Sequence, residues 1–433
     1  MSKKFFWGAA TSSFQVEGHI DLNDFLFWEK EGKFKIDNDI VKYDNGANHW
    51  LKWKEDLDYL INLGLNAYRF SIEWSRIQPE QNLFRIEPLD QYSQMIDHLI
   101  EHDIEPFVTL HHFTHPLWFH QNTPWHQEES VDVFCRFVEK VVEKFHTKVK
   151  YWITFNEPVV WALAAYWNAK FPPGYSDLNL TMKVIYNILS AHVKGYDIIK
   201  SFRSDAQVGI AKHFTVLKQS RKWFFLDKKI RDLLHYFFNQ MILDAFVTNR
   251  LYTNFPGLVK FDSPIEINNK IDFWGINYYH RFFTKFQFNF KNPFLIYTKT
   301  PETDMGWEIY PKGILKTIEL VSKYGKKMII TENGIATNDE EKAKYFIKKH
   351  IKILYKAKKR NFDIQGYFYW SLLDNYEWLY GKSKRFGLIY IDYENNFSRK
   401  IKERAYYYSE LIKKYSHKFK TLEYNKETGK ANA

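Results

Sequence analysis

Two short segments hold the residues best suited to chemistry. Thr154-Phe155-Asn156-Glu157-Pro158 and Thr331-Glu332-Asn333-Gly334 each place a glutamate just after an apolar, strand-like run, Tyr151-Trp152-Ile153 in one case and Met328-Ile329-Ile330 in the other. Taken singly, either glutamate reads as a polar residue at a strand end, paired with a nearby arginine. Taken together they read as a reactive pair. Cleavage of a glycosidic bond needs two carboxyl groups on a rigid scaffold, one to donate a proton and one to support positive charge at the sugar carbon.

The elements that must position such a pair follow from the apolar runs. Eight short candidate strands are read at residues 5–9, 67–74, 106–110, 151–155, 207–211, 271–277, 327–331 and 365–370. Between them lie stretches with helical spacing, such as 89–101, 131–145 and 338–358. Strand and helix alternate, and eight such units close a barrel, so the expected fold is α/β: a single (β/α)8 TIM barrel with loop insertions. No Pro/Gly/Ser-rich linker divides the chain and no repeat is visible, which assigns residues 1–417 to one catalytic domain and leaves 418–433 as a frayed, polar C-terminal tail. Glu157 follows the fourth strand and Glu332 the seventh, which puts both on the loop face where such barrels keep their reactive groups.

Composition narrows the class. The 433 residues include 15 Trp, 29 Tyr and 38 Phe, more aromatic surface than a core of aliphatic layers needs. Such rings suit sugar faces, although packing is the commoner use of any one of them. The net charge of +11 is spread along the chain with no nucleic-acid-binding motif, so no nucleic-acid partner is expected. No run of about 18 apolar residues exists to span a membrane. Two stretches mix bases with aromatics, Arg221-Lys222-Trp223-Phe224-Phe225 and residues 285–294, and either could make peripheral contact with an anionic lipid surface. A loop packed over the barrel is the plainer reading, because neither shows an amphipathic helical period. The single cysteine, Cys135, cannot form an intrachain disulfide, and the N-terminus has no long apolar stretch, so a reducing cytoplasm is expected. Nothing in the sequence sets an oligomeric state.

Beyond the two glutamate segments, four more runs bear on identity: 6–18, beginning Phe6-Trp7-Gly8 and containing Gln15; 68–76, beginning Tyr68-Arg69-Phe70-Ser71; Gly275-Ile276-Asn277-Tyr278-Tyr279; and 367–378, ending Asn375-Tyr376-Glu377-Trp378. With these the chain resembles glycoside hydrolase family 1, the retaining β-glucosidase and β-galactosidase family, over nearly its whole length. The resemblance implies Glu157 as acid/base and Glu332 as nucleophile, with Arg69 and Tyr279 contacting Glu332. It implies Gln15, His112, Asn156, Glu377 and Trp378 as partners of sugar hydroxyls and Trp370 as the platform under the ring. Phe113, Asn277 and Phe386 are further expected substrate-binding positions. The substrates implied are terminal β-D-glucosides or short oligosaccharides, with β-galactosides and β-fucosides as side activities. No metal or organic cofactor is implied, and the adjacent His111 and His112 would point to opposite faces of a strand and could not share one ion.

Two departures from the family pattern matter. Phe113 stands where many members have a tryptophan whose indole N–H reaches a sugar hydroxyl, as in a subset of archaeal-type members with His-Phe-Thr here. Members acting on 6-phosphosugars lack the Glu377-Trp378 pair and carry a serine, lysine and tyrosine set for phosphate; Lys384 sits near the expected lysine but Phe386 stands where the tyrosine would be, and a carboxylate facing a phosphate repels it, so an unphosphorylated O-glycoside is expected. The basic, aromatic segment 282–297 would rim the entrance and favour alkyl or aryl leaving groups. Alternatives are a β-mannosidase or transglycosylase on the same site or, from another class, a retired carbohydrate- or lipid-surface-binding protein.

Overall fold

The computed structural model describes residues 5–36, 39–40, 42–43, 45–289 and 294–428. Eight strands form its centre: β1 (Phe6–Ala10), β2 (Ala67–Ser71), β3 (Glu105–His111), β4 (Tyr151–Asn156), β5 (Gln207–Gln219), β6 (Phe273–Phe286), β7 (Lys327–Asn333) and β8 (Ile364–Trp370). Each pairs in parallel with its neighbours in chain order, and β8 returns to β1 with Phe6 opposite Gly366, so the sheet closes as an eight-stranded parallel barrel. Closure leaves no free edge among these strands.

The main flanking helices are α1 (His49–Asn62), α2 (Ile86–Glu101), α3 (Ser130–Phe145), α4 (Pro158–Tyr166), α5 (Leu178–Phe202), α6 (Phe225–His235), α7 (Met241–Thr248), α8 (Lys312–Val321), α9 (Glu340–Lys359) and α10 (Glu403–Thr428). In α3 the buried Phe134, Val138, Val141, Val142 and Phe145 recur every three or four residues and form the stripe that faces the barrel. In α9 the Asp339 side chain accepts from the Lys342 backbone N–H at the start, and Lys356, Lys358 and Lys359 meet the dipole at the end. No helix among the described residues is long and apolar enough to cross a membrane.

The barrel is filled by rings. Phe107 packs 4.3 Å from Tyr151, 5.1 Å from Phe6 and 4.8 Å from Phe368, measured between ring centroids. Room for these rings comes from glycines on neighbouring strands. A Cβ on Gly8 would lie 2.6 Å from the Phe368 ring, and one on Gly209 would lie 2.7 Å from the Phe273 ring. Much of the aromatic load is therefore a floor beneath the loop face.

The C-terminal end departs from the sequence expectation. The boundary expected at residue 418 falls inside α10, and Phe419 and Leu422 are buried. Phe419 lies 4.6 Å from Phe5, 5.4 Å from Trp7 and 5.8 Å from Tyr355, so it packs beneath the barrel and is not frayed. The polar composition of the segment concealed one apolar stripe, Tyr408, Leu411, Ile412, Tyr415, Phe419 and Leu422, at helical spacing. The expected strand at 67–74 also ends early, because Glu73 turns to cap the short helix Trp74–Ile77 with its carboxylate.

Of the basic, aromatic segments, Phe290, Lys291, Asn292 and Pro293 lie outside the described residues. Residues Phe294–Tyr297 form a strand antiparallel to the end of β6. Trp223, Phe225 and Phe288 are exposed, at 81%, 60% and 87%.

Candidate active site

The reactive groups sit where strands end and registers slip. The pairing of β6 with β7 shifts between Ile276 and Asn277, setting Asn277 opposite Glu332, and the pairing of β4 with β5 shifts between Ile153 and Asn156. Such irregularities re-aim side chains at barrel rims. Glu157 follows in the left-handed region at φ 45°, uncommon for a residue with a Cβ, and Pro158 opens α4. Its backbone N–H donates to Ala211 O at 2.7 Å, which holds this turn against β5.

Glu332 is bonded on both oxygens. Arg69 Nη1 donates to Oε1 at 2.6 Å and the Tyr279 hydroxyl donates to Oε2 at 2.7 Å. Arg69 also donates to Asn156 Oδ1 at 2.7 Å and to Thr331 O at 3.2 Å. Glu157 Oε1 accepts from Asn277 Nδ2 at 2.8 Å and lies 3.4 Å from His213 Nδ1. Asn277 Nδ2 also donates to Asn156 Oδ1 at 3.1 Å, while its own Oδ1 accepts from Thr331 at 2.6 Å. Arg69, Asn156 and Asn277 thus join the two glutamates through one hydrogen-bonded network.

The same network fixes the amides. Asn156 Oδ1 receives two donors, so its Nδ2 faces His112 Nε2, 3.1 Å away. That ring nitrogen must accept, which places the proton of the neutral imidazole on Nδ1, an atom with no protein partner. At the far end of the cavity Glu377 Oε2 accepts from Gln15 Nε2 at 3.2 Å and from Asn375 Nδ2 at 3.0 Å. The His112 ring lies parallel to Trp370 and Trp378, with centroids 5.8 and 6.2 Å away. Phe113, at φ 75°, packs 4.9 Å from Trp378.

Electrostatics divide the pair. Burial pushes Glu157 up, but the charge and hydrogen bond of His213, with the Asn277 amide, bring it below the usual carboxyl range. Burial pushes Glu332 up to about 7, Arg69 opposes this, and the charge on Glu157 adds to the push. The two cations differ in kind. Arg69 is permanently charged, whereas an imidazole carries charge only when it holds a proton. Arg69, the permanent cation of the two, sits on Glu332, which favours the ionised form there and a proton on Glu157. Glu377 is pushed up to about 7 by burial, against the amides of Asn375 and Gln15.

One cavity of ≈ 360 Å³ gathers these groups. Of the residues expected from sequence, Gln15, His112, Phe113, Asn156, Glu157, Tyr279, Glu332, Trp370, Glu377, Trp378 and Phe386 line it. Arg69 and Asn277 are fully buried and are absent from the lining, so Asn277 holds Glu157 and Asn156 from behind the wall. His213 and Trp307 line the cavity and were missed. The only signal for His213 was its position two residues beyond a strand judged to end at Ala211, and Trp307 sits in a loop with no motif. Lys384 is not in the lining; it donates to Asp304 O at 2.8 Å.

His111 is buried among Trp125, Phe134, Phe155 and Trp161, and burial pushes its pKa down to about 3, as suits a structural residue. His115 lies 3.4 Å from Asp24 Oδ2 with His120 beside them, and these three could hold a metal ion. They are not among the residues lining the cavity, and the chemistry of a carboxylate pair takes no step through them.

A parallel (β/α)8 barrel with two buried glutamates at the ends of its fourth and seventh strands defines a glycosidase-type enzyme. The sequence model of Glycosyl hydrolase family 1 matches residues 1–417, and the chain belongs to that family. It is thus an O-glycoside hydrolase of the retaining type. The chain is 33% identical to beta-glucosidase A of Thermotoga maritima, over 94% of this chain and 97% of that protein. It is 31% identical to a 6-phospho-beta-galactosidase of Clostridium acetobutylicum, over 94% and 96% of the two chains. The solved structure of a beta-glycosidase from Pyrococcus horikoshii superposes with a TM-score of 0.87 at 36% identity, covering 96% of this chain and 99% of that one.

Proposed function

We propose that the protein removes terminal β-D-glucose from unphosphorylated glycosides, with β-galactosides and β-fucosides as side substrates, using Glu332 as nucleophile and Glu157 as acid/base. The observation that carries this reading is the double grip of Arg69 and Tyr279 on Glu332, across the Asn156–Asn277 network from Glu157. A Glu332 oxygen attacks the anomeric carbon as the bond to the leaving oxygen breaks, and Glu157 gives its proton to that oxygen. Esterification then removes the charge of Glu332, which lets Glu157 hold its carboxylate form. Water next yields its proton to Glu157, its oxygen bonds to the anomeric carbon, and Glu332 departs with the electron pair. Asn156 and His112, which line the cavity, suit sugar hydroxyls near the reacting carbon, Glu377 and Gln15 suit those at the far edge, and Trp370 suits the ring face.

An unphosphorylated sugar is favoured because Glu377 faces the end where a 6-phosphate would lie and Lys384 is engaged elsewhere. With a single cysteine, buried on α3, a reducing cytoplasm remains the proposed setting. The test is hydrolysis of p-nitrophenyl β-glucoside, β-galactoside, β-fucoside and β-mannoside by wild type and by Glu332→Gln. Glucoside turnover that collapses in the variant supports the assignment. A folded wild type that cleaves none of the four, or prefers the mannoside, refutes it.

A further inference from the structure

The histidine-rich run beyond β3 meets a carboxylate from far away in the sequence. Asp24 starts the short helix Asp24–Lys30, His115 lies in the loop after β3, and His120 stands on the helix Leu117–Asn122. Asp24 is wholly buried and His115 is 2% exposed, whereas His120 is half-buried. One ligand-type atom from each of these side chains lies within 4.8 Å of the other two. The 91 positions from Asp24 to His115 hide the grouping from any reading by spacing.

The two oxygens of Asp24 are used differently. Oδ1 accepts from the His115 backbone N–H at 3.0 Å, and the Asp24 backbone N–H donates to His115 O at 3.2 Å, so the two segments are already docked. Oδ2 has no hydrogen-bond donor and lies 3.4 Å from His115 Nε2. That gap is wider than the roughly 2.7–2.9 Å of a charge-assisted hydrogen bond. It matches the separation of roughly 3.3 Å that bonds of about 2.1 Å to one tetrahedral zinc set between two ligand atoms. A buried carboxylate oxygen without a partner is costly, and among the described residues no arginine or lysine pairs with Asp24. Glu73, itself held by the Ser13 and Thr114 hydroxyls and the Asn23 amide, adds negative charge nearby. Phe119 and Trp161 pack edge-on to the His115 ring and fix its plane, and His120 Nδ1 is buried without a hydrogen-bond partner.

We propose that Asp24, His115 and His120 hold one structural zinc ion, which ties the segment after β1 to the segment after β3. Two imidazoles and one carboxylate suit zinc, whereas calcium and magnesium take shells of six or more oxygen ligands. His120, the most exposed of the three, gives the ion its way in, and rotation of its side chain closes the remaining distance. The segment tied down also carries His112 and Phe113, which line the catalytic cavity, so the ion buttresses that wall from behind and takes no part in bond cleavage. The site stands independently of the sugar preference proposed above.

The experiment strips the full-length protein with EDTA and titrates it with zinc sulfate and, in parallel, with cobalt(II) chloride. One zinc per chain should bind, and at a hundredfold excess over Kd it should raise the thermal midpoint by roughly 3 °C. Cobalt should give the intense visible absorption of a four-coordinate ion. His120→Gln removes the half-buried ligand, and Asp24→Asn keeps an oxygen for the His115 backbone N–H while removing the carboxylate. Each should raise the Kd for zinc by about tenfold or more and abolish the cobalt absorption. Metal-free His120→Gln should keep the metal-free wild-type midpoint within about 1 °C, as for a surface substitution. Two variants guard against one that misfolds. Wild type that binds no zinc overturns the site, as does zinc binding of unchanged affinity in a folded variant, because the ion then sits on other side chains.

Discussion

Glu377 is a half-buried carboxylate served, among the described residues, by amides and no cation, and replacing it with glutamine tests whether the pocket stores that cost for sugar. Burial moves its pKa from 4.5 to about 7. At about 1.4 kcal/mol per tenfold change in proton affinity, the ionised side chain costs the folded state about 3 kcal/mol above pH 7. The sign follows from the raised value. Below pH 4.5 the group is protonated folded or unfolded and its contribution is whole; between 4.5 and 7 the unfolded chain ionises first, so stability falls as pH rises. Glu377→Gln removes this titration and keeps both bonds, because Gln15 and Asn375 donate to the same oxygen, which the amide oxygen replaces. The variant should therefore match wild type at pH 4.5 and be more stable by about 3 kcal/mol at pH 8. For 433 residues the unfolding entropy is about 0.9 kcal/mol/K, so the midpoint difference should swing by roughly 3 °C between those pH values. Scanning calorimetry from pH 4.5 to 8 reads this directly. At pH 8 kcat/KM on p-nitrophenyl glucoside should fall by about 10²-fold or more, as charge-assisted bonds to two hydroxyls are lost. Parallel pH–stability curves for the two proteins would refute the reasoning.

Other outcomes follow from the same geometry. His213→Gln removes the imidazole that helps hold Glu157 below its usual range; the proton should stay on the pair to higher pH and the alkaline limb of kcat/KM should move upward, and a downward move counts against the network as drawn. Phe419→Ala should destabilise the fold by about 3–5 kcal/mol, lowering the midpoint by roughly 3–5 °C, as thermal unfolding would reveal; an unchanged midpoint means the α10 seat is not formed. Asn277→Ala, which cuts Glu157 and Asn156 loose from one donor, should lower kcat on the glucoside by about 10-fold or more with a smaller change in KM, and the reverse split would mark Asn277 as a substrate contact. Trp223 and Phe288, beside basic residues, should support salt-sensitive binding to phosphatidylserine vesicles; equal co-sedimentation of Trp223→Ser/Phe288→Ser and wild type removes the aromatic contribution.

The barrel was legible because its inner strands are fully buried and so read as unbroken apolar runs. The two strands whose extent was most underestimated, β5 and β6, run past Ala211 and Asn277 through Lys212-His213 and His280-Arg281, where polar residues break the apolar run while pairing continues across a register shift between Tyr278 and Arg281. That is also why His213 went unseen: it lies on a strand extension that only pairing with β6 sustains. The site residues carried by motifs came together in one cavity, yet no pattern separates those that face it from Asn277 behind it. That distinction depends on register shifts of one residue at strand ends, which arise from packing across the barrel.

The pairing of β1 with β8 sets when activity can begin. Phe6 lies opposite Gly366, the Tyr408 hydroxyl donates to Gly8 O at 2.9 Å, and Phe419 stacks beneath Trp7. Roughly 360 residues separate the first of these partners, about 20–70 s of ribosomal synthesis at ordinary rates. Throughout that interval β1 has no partner on one side, and Gln15, which follows it, waits for Glu377. The sugar-binding end of the cavity is therefore among the last parts to assemble, and a growing chain gains its specificity only once β8 and α10 have emerged.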